Sequence, residues 1–133
     1  MTRLSQADID RLDREWPARD SRSHLSPDGE PIGLGTWAAY IEDPDVKIVR
    51  QEHIRREPDT FVSTVYLGLD HGWGDGPPLI YETMIFGGPN DQWQDRYTTR
   101  EQAVKGHRRA RRHAWPWLDR FVLEPLRNLR PVL

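Results

Sequence analysis

The run HRRARRH, His107 to His113, puts four guanidinium groups within seven residues. On a helix Arg108 and Arg112 stand one turn apart on one face, as do Lys105 and Arg109, and Arg111 lies three from Arg108. Like charges at that spacing repel, so an anion seated between them would offset a built-in cost. Paired guanidinium forks also match the oxygens of a phosphate bidentately. The same run reads equally as a solvated helix face, balanced by acids of the sheet or of another subunit. Ring-bearing side chains precede it in the chain: Trp73, Tyr81, Phe86 and Trp93. A base stacked on an aromatic, with its phosphates on an arginine pair, is a common way to hold a nucleotide. Asn90, Asp91 and Asp95 could read a base edge or ribose hydroxyls. Taken singly, each aromatic has an alternative in core or edge packing. The candidate ligand-binding residues are therefore Arg108, Arg112 and Arg109 of the helix, the aromatics Trp73, Tyr81, Phe86 and Trp93, and one or more of Asn90, Asp91 and Asp95.

A second constellation is the loop DHGWGDGPP, Asp70 to Pro78. Asp70, His71 and Asp75, with Glu82 beyond, offer oxygen and nitrogen ligands to a divalent cation, or His71 as a general base beside Asp70. The spacing fits neither an EF-hand nor a helical His pair, and the phosphate-loop and G-x-S-x-G signatures are absent. Glycine and aspartate are also what a wide turn needs, because both tolerate positive φ. We therefore assign no catalytic residue, metal ligand or cofactor. Glu82 sits on a strand face with Ile80, Met84 and Phe86, so it needs a partner. The arginine helix is the expected donor.

The elements that must position these groups are visible as patterns. Ser5 and Asp8 form a capping box before a helix with Ile9, Leu12 and Trp16 on one side, and Pro17 ends it. Residues 17–35 read as a polar linker. Thr36 caps a short helix carrying Trp37, Tyr40 and Ile41. Strands are expected at 46–54, 61–69 and 79–86, with a fourth at QWQDRYT, residues 92–98. Thr98 and Glu101 form a second capping box, starting a helix near Thr99 that continues past a weak point at Gly106. Pro116 opens a further helix over 116–130. The fold class is α+β: an antiparallel sheet of four or more strands, C-terminal helices packed on it, and a helical N-terminal segment. The chain reads as one domain, 1–133: helix and linker to 35, sheet over 36–98, helices over 99–133.

Composition narrows the function classes. The chain has 133 residues and a net charge of −2, with no cysteine and six tryptophans. Without cysteine there is neither a disulfide framework nor a thiolate metal site. No stretch reaches the roughly 18 apolar residues of a membrane span, so the expectation is a soluble intracellular protein. The charge is unevenly spread: −4 over 1–60, −4 over 61–99 and +6 over 100–133. An acidic body with a basic tail end suits an anionic ligand, or subunits of opposite charge meeting each other.

Two stretches carry a family resemblance. VSTVYLGLDHGWGDGPPLIYETMIFGG, Val62 to Gly88, with RYTTREQAVKGH, Arg96 to His107, looks like a group of small proteins common in phage and prophage genomes. It also resembles the first class of Thoeris anti-defence proteins, sponges that bind a cyclic ADP-ribose signal without cleaving it. That resemblance implies an antiparallel sheet with C-terminal helices and assembly into dimers or larger homo-oligomers. It implies a ligand gripped by an arginine pair one turn apart and an aromatic, here Arg108, Arg112 and Tyr81, with Asp91 nearby. Trp93 departs from the pattern, standing where a smaller polar residue is expected. The expected function is a non-catalytic sponge for a cyclic nucleotide immune signal, acting in the cytoplasm of the bacterial host. A nucleic-acid-binding phage regulator using the basic helix is the first alternative. A metal-assisted hydrolase at the DHGWGD loop is the second.

Overall fold

A computed structural model describes residues 3–18, 24–54, 57–72 and 74–114. The expected helix over 116–130 and the loop residue Trp73 lie outside them. Helix α1 spans Gln6–Glu15, and its capping box forms as the spacing predicts: Asp8 N donates to Ser5 Oγ at 3.1 Å, and Ser5 N to Asp8 Oδ2 at 3.4 Å. The Ser5 hydroxyl also donates to Asp8 Oδ2 at 2.8 Å, and that bond first, then the one from Ser5 N, holds the Asp8 carboxyl below its usual pKa. Trp16 projects outward past the end of α1, so the narrow apolar stripe is not fully buried. Helix α2, Leu34–Glu42, starts two residues before Thr36, from Gly33. Thr36 caps nothing; its backbone N and Oγ1 donate instead to Asp13 of α1, at 2.9 and 2.6 Å. That pair ties α2 to α1, and Gly35 lets the two backbones meet, because a Cβ there would strike the carbonyl of Ile9.

Asp43 then caps a single helical turn, α3 (Pro44–Lys47), through a bond from Asp45 N. This turn delays the first strand by two residues. The sheet is a simple antiparallel meander in chain order: β1 (Ile48–Ile54), β2 (Glu57–Tyr66), β3 (Tyr81–Phe86) and β4 (Gln94–Tyr97). Val62, Thr64 and Tyr66 of β2 pair with Ile85, Thr83 and Tyr81 of β3, and these six side chains form one buried face. Helix α4, Arg100–Ala114, lies on that face and touches all four strands. The architecture is α+β, with an N-terminal helical segment, a four-stranded antiparallel sheet and a helix packed on it.

α4 starts one residue later than the expected box. Thr99 is the cap: its Oγ1 accepts from Gln102 N, while Gln102 Oε1 accepts from Thr98 N and Thr99 N. Gly106 does not weaken the helix here. It admits the ring and hydroxyl of Tyr97, which a Cβ would overlap. The buried face of α4 is Ala103, Gly106, His107, Ala110 and Ala114. Small side chains let the helix approach closely, but three buried methyls supply only roughly 2 kcal/mol of apolar stabilisation. Tyr66, Tyr81, Tyr97 and Ala103 form one apolar cluster, and Val62, Ile85, Ala110 and Ala114 another. Thr64, Thr83 and His107 form a polar layer between them.

Candidate functional site

The helical repeat sorts the cations of α4 by what they face. Arg111 leans toward β1, where its Nε lies 3.2 Å from Glu52 Oε1. The angle there is too poor for a hydrogen bond, so the contact is ionic. Arg109 leans toward β4, over the ring of Tyr97 at 5.9 Å and 3.6 Å from Asp95 Oδ2. Lys105, Arg108 and Arg112 lie opposite the buried stripe and are exposed, with Glu101 the one acid on that ridge. Between the ridge and one flank runs an open groove of about 340 Å³ lined by Arg100, Glu101, Val104, Lys105 and Arg108.

The aromatics expected to wall this site lie elsewhere. Tyr81 is 1 % exposed and lies beneath α4, with its hydroxyl donating to Pro27 O at 2.9 Å. Burial pushes its pKa up, and no ring face is available for a base. Phe86 is 44 % exposed but belongs to the opposite face of the sheet, beside Phe61. Trp93 packs against the second apolar cluster and stacks on His113, with ring centroids 4.8 Å apart. Asn90 donates from Nδ2 to the His113 carbonyl at the end of α4. Asp91 is used by its own turn, where Oδ1 accepts from Gly87 N at 2.7 Å. The fold thus brings Trp93 and Arg109 to one flank of α4, but neither Tyr81 nor Phe86 to the outward ridge. Strand alternation decides this: Tyr81 and Phe86 are five apart, so they point to opposite faces.

The glycine-rich loop has a structural account. Asp70 Oδ1 accepts from both Gly72 N (2.8 Å) and Leu79 N (2.9 Å), and His71 N donates to the Leu79 carbonyl. One carboxylate therefore ties the two ends of the loop together. Among the described residues no group of three His, Asp or Glu side chains is placed to hold a metal ion. Glu82 does find a guanidinium, but from Arg96 on β4, at 2.9 Å, rather than from α4. The two are cross-strand neighbours on the sheet face away from α4.

The polar feature that sequence reading missed is a chain of buried hydrogen bonds under α4. His107 is 1 % exposed; its Nε2 is 2.8 Å from Glu52 Oε1 and its Nδ1 is 2.7 Å from Thr64 Oγ1. Thr64 Oγ1 is in turn 2.5 Å from Thr83 Oγ1. A carboxylate only accepts, so in the neutral ring the proton sits on Nε2 and Thr64 donates to Nδ1. Thr83 must then donate to Thr64. The Tyr97 hydroxyl lies next to Thr83 but at a geometry too poor for a full hydrogen bond. The order hydroxyl, imidazole, carboxylate resembles an activated nucleophile. Thr64, however, is wholly buried and already bonded to Thr83, so no substrate carbonyl can reach it. Desolvation, the largest influence, together with Arg50 and Arg111 lowers the pKa of His107 against the opposing pull of Glu52. A sequence signal for this chain did exist: His107 falls inside the small-residue stripe Ala103, Gly106, Ala110, Ala114, which marks the buried face.

No protein-family model, curated protein or solved structure matches this chain.

Proposed function

We propose that this protein is a non-enzymatic binder of a small anionic nucleotide, of the cyclic ADP-ribose or cyclic oligonucleotide kind, engaged through the outward ridge of α4. The supporting observation is the exposed ridge of Lys105, Arg108 and Arg112, set on α4 opposite its buried stripe. Guanidiniums one turn apart suit phosphate oxygens, and the phage-protein resemblance agrees with a sponge that withholds an immune signal in the bacterial cytoplasm. A ridge on the convex side of a helix encloses little by itself. Sequestration therefore requires a second copy to close over it, and the acidic remainder of the chain supplies charge of the right sign for such a homo-oligomer. Among the described residues no helix is long and apolar enough to cross a membrane.

The openness of the ridge favours a second reading, a regulator that lays α4 along a nucleic-acid backbone. Hydrolysis at the DHGWGD loop has less support, since Asp70 is occupied in holding the loop. One experiment separates these readings. The protein is titrated by calorimetry with cyclic ADP-ribose, cyclic dinucleotides and a DNA duplex at two salt concentrations, then denatured and the ligand recovered. The sponge reading expects saturable nucleotide binding with modest salt dependence, intact ligand, and at least tenfold weaker binding by Arg108→Ala. Duplex binding that falls steeply with salt would favour the regulator. Altered nucleotide would favour the hydrolase. Absence of binding to every nucleotide and to the duplex would end the anion-binding proposal.

A further inference from the structure

We propose that His107 is a proton-operated latch: in its neutral form it fastens α4 to the sheet, and protonation releases the helix. The hydrogen-bond chain gives the latch its direction. Neutral His107 donates to Glu52 and accepts from Thr64, and Thr64 accepts from Thr83. A protonated ring donates from both nitrogens. Thr64 would then have to turn its proton toward Thr83, and Thr83 would have to donate onward toward Tyr97, where the geometry is poor. One proton thus reverses the His107–Thr64 and Thr64–Thr83 bonds of the buried chain, while the bond from Nε2 to Glu52 keeps its direction.

The charges around the ring oppose that proton. From β1, Glu52 attracts it and Arg50 repels it; from α4 itself, Arg111 repels it. Among the described residues, β2 and β3 present the hydroxyls of Thr64 and Thr83, and β4 the hydroxyl of Tyr97. Glu52 is already shared by Arg50 at 3.5 Å and Arg111 at 3.2 Å. The three charges sum to one positive, and an imidazolium would make two. Burial acts in the same direction, and the pKa of His107 is lowered accordingly. The other buried residues of α4 are three alanines and a glycine, so the His107 chain is the polar tie within that buried face. The latch stands without the anion-binding reading. Only its consequence, that acid would shift the helix bearing the basic ridge, rests on that reading.

The test is amide hydrogen exchange from pH 7.5 to 5, at constant salt and without nucleotide. Wild type, His107→Gln and His113→Gln are compared, with α4 amides measured relative to those of β2 and β3. The latch expects wild type and His113→Gln to lose at least tenfold of relative α4 protection as pH falls, and His107→Gln to lose none. A flat wild-type ratio would overturn it, as would a response abolished by His113→Gln. If His107→Gln does not fold, nitrogen NMR of the wild-type imidazole decides. The expected result is an Nε2–H tautomer at pH 7.5 and a titration that coincides with loss of α4 protection. The other tautomer, or titration with α4 still protected, would reject the latch. Nucleotide binding measured at pH 7.5 stays independent of every one of these outcomes.

Discussion

A single hydrogen atom in place of a methyl at position 106 decides how α4 meets β4. Helix propensity alone predicts that Gly106→Ala stabilises the protein by about 1 kcal/mol. The Tyr97 ring occupies the space a Cβ would need, so the opposite sign is expected here. We expect a loss of about 1–3 kcal/mol in urea unfolding, the usual cost of overpacking. A gain would mean that Tyr97 moves aside freely. His107 makes the second residue-scale prediction. Its pKa is lowered from the usual 6.5, with desolvation the largest cause and Arg50 among the others. The unfolded chain therefore takes up a proton before the folded one does. The stability that the neutral ring confers is complete above about 6.5 and is lost as pH falls from there through the lowered folded value. Arg50→Gln removes one repelling charge, so the His107 titration should move upward by NMR. An unchanged or lower midpoint would show that Arg50 is screened by solvent from the ring.

Elements were legible in the sequence where one residue pattern implied one environment. The alternation in VSTVY and YETMIF fixed β2 and β3 to within a few residues, and Ser5 with Asp8 marked α1. What stayed hidden depends on pairing. Alternation separates Tyr81 from Phe86 but cannot say which face is buried, and the partner of Glu82 depends on a cross-strand register that places Arg96 opposite. Thr36 resembles a cap until the contact with Asp13, 23 residues away, appears. Spacing put Arg108 and Arg112 on one face of α4, but it also paired Lys105 with Arg109, which leans toward β4 instead, and where the aromatics lie required tertiary information. The loop between β2 and β3 was ambiguous because glycine and aspartate serve turns and ligands alike, and Asp70 resolves its structural part. Asp70→Ala should cost about 1–3 kcal/mol, because two backbone amides lose a charged acceptor. Exchange at Gly72 and Leu79 should accelerate, while the α4 amides keep their protection. Equal acceleration throughout would mean that the loop is not a separate unit.

Across the whole molecule, charge is sorted rather than mixed. The sheet answers the flanks of α4, with Glu52 against Arg111 and Asp95 against Arg109. The outward ridge keeps Lys105, Arg108 and Arg112 three or four residues apart, a spacing at which each like pair costs roughly 0.2–0.5 kcal/mol at low salt. A protein selected for stability alone would not keep this arrangement, and that gives anion binding a thermodynamic signature. Arg108→Ala relieves repulsion with both neighbours and adds helix propensity, so it should stabilise the free protein by about 0.5–1 kcal/mol. The gain should shrink in concentrated salt, where screening acts over about 3 Å at 1 M. It should reverse when a polyphosphate such as ATP is added at low salt, because only the wild type then gains from binding. Thermal unfolding of both proteins, with and without ATP at two salt concentrations, measures all three effects. If Arg108→Ala instead destabilises the free protein, Arg108 is holding structure together, and the ridge loses its claim to be a binding surface maintained at the expense of stability.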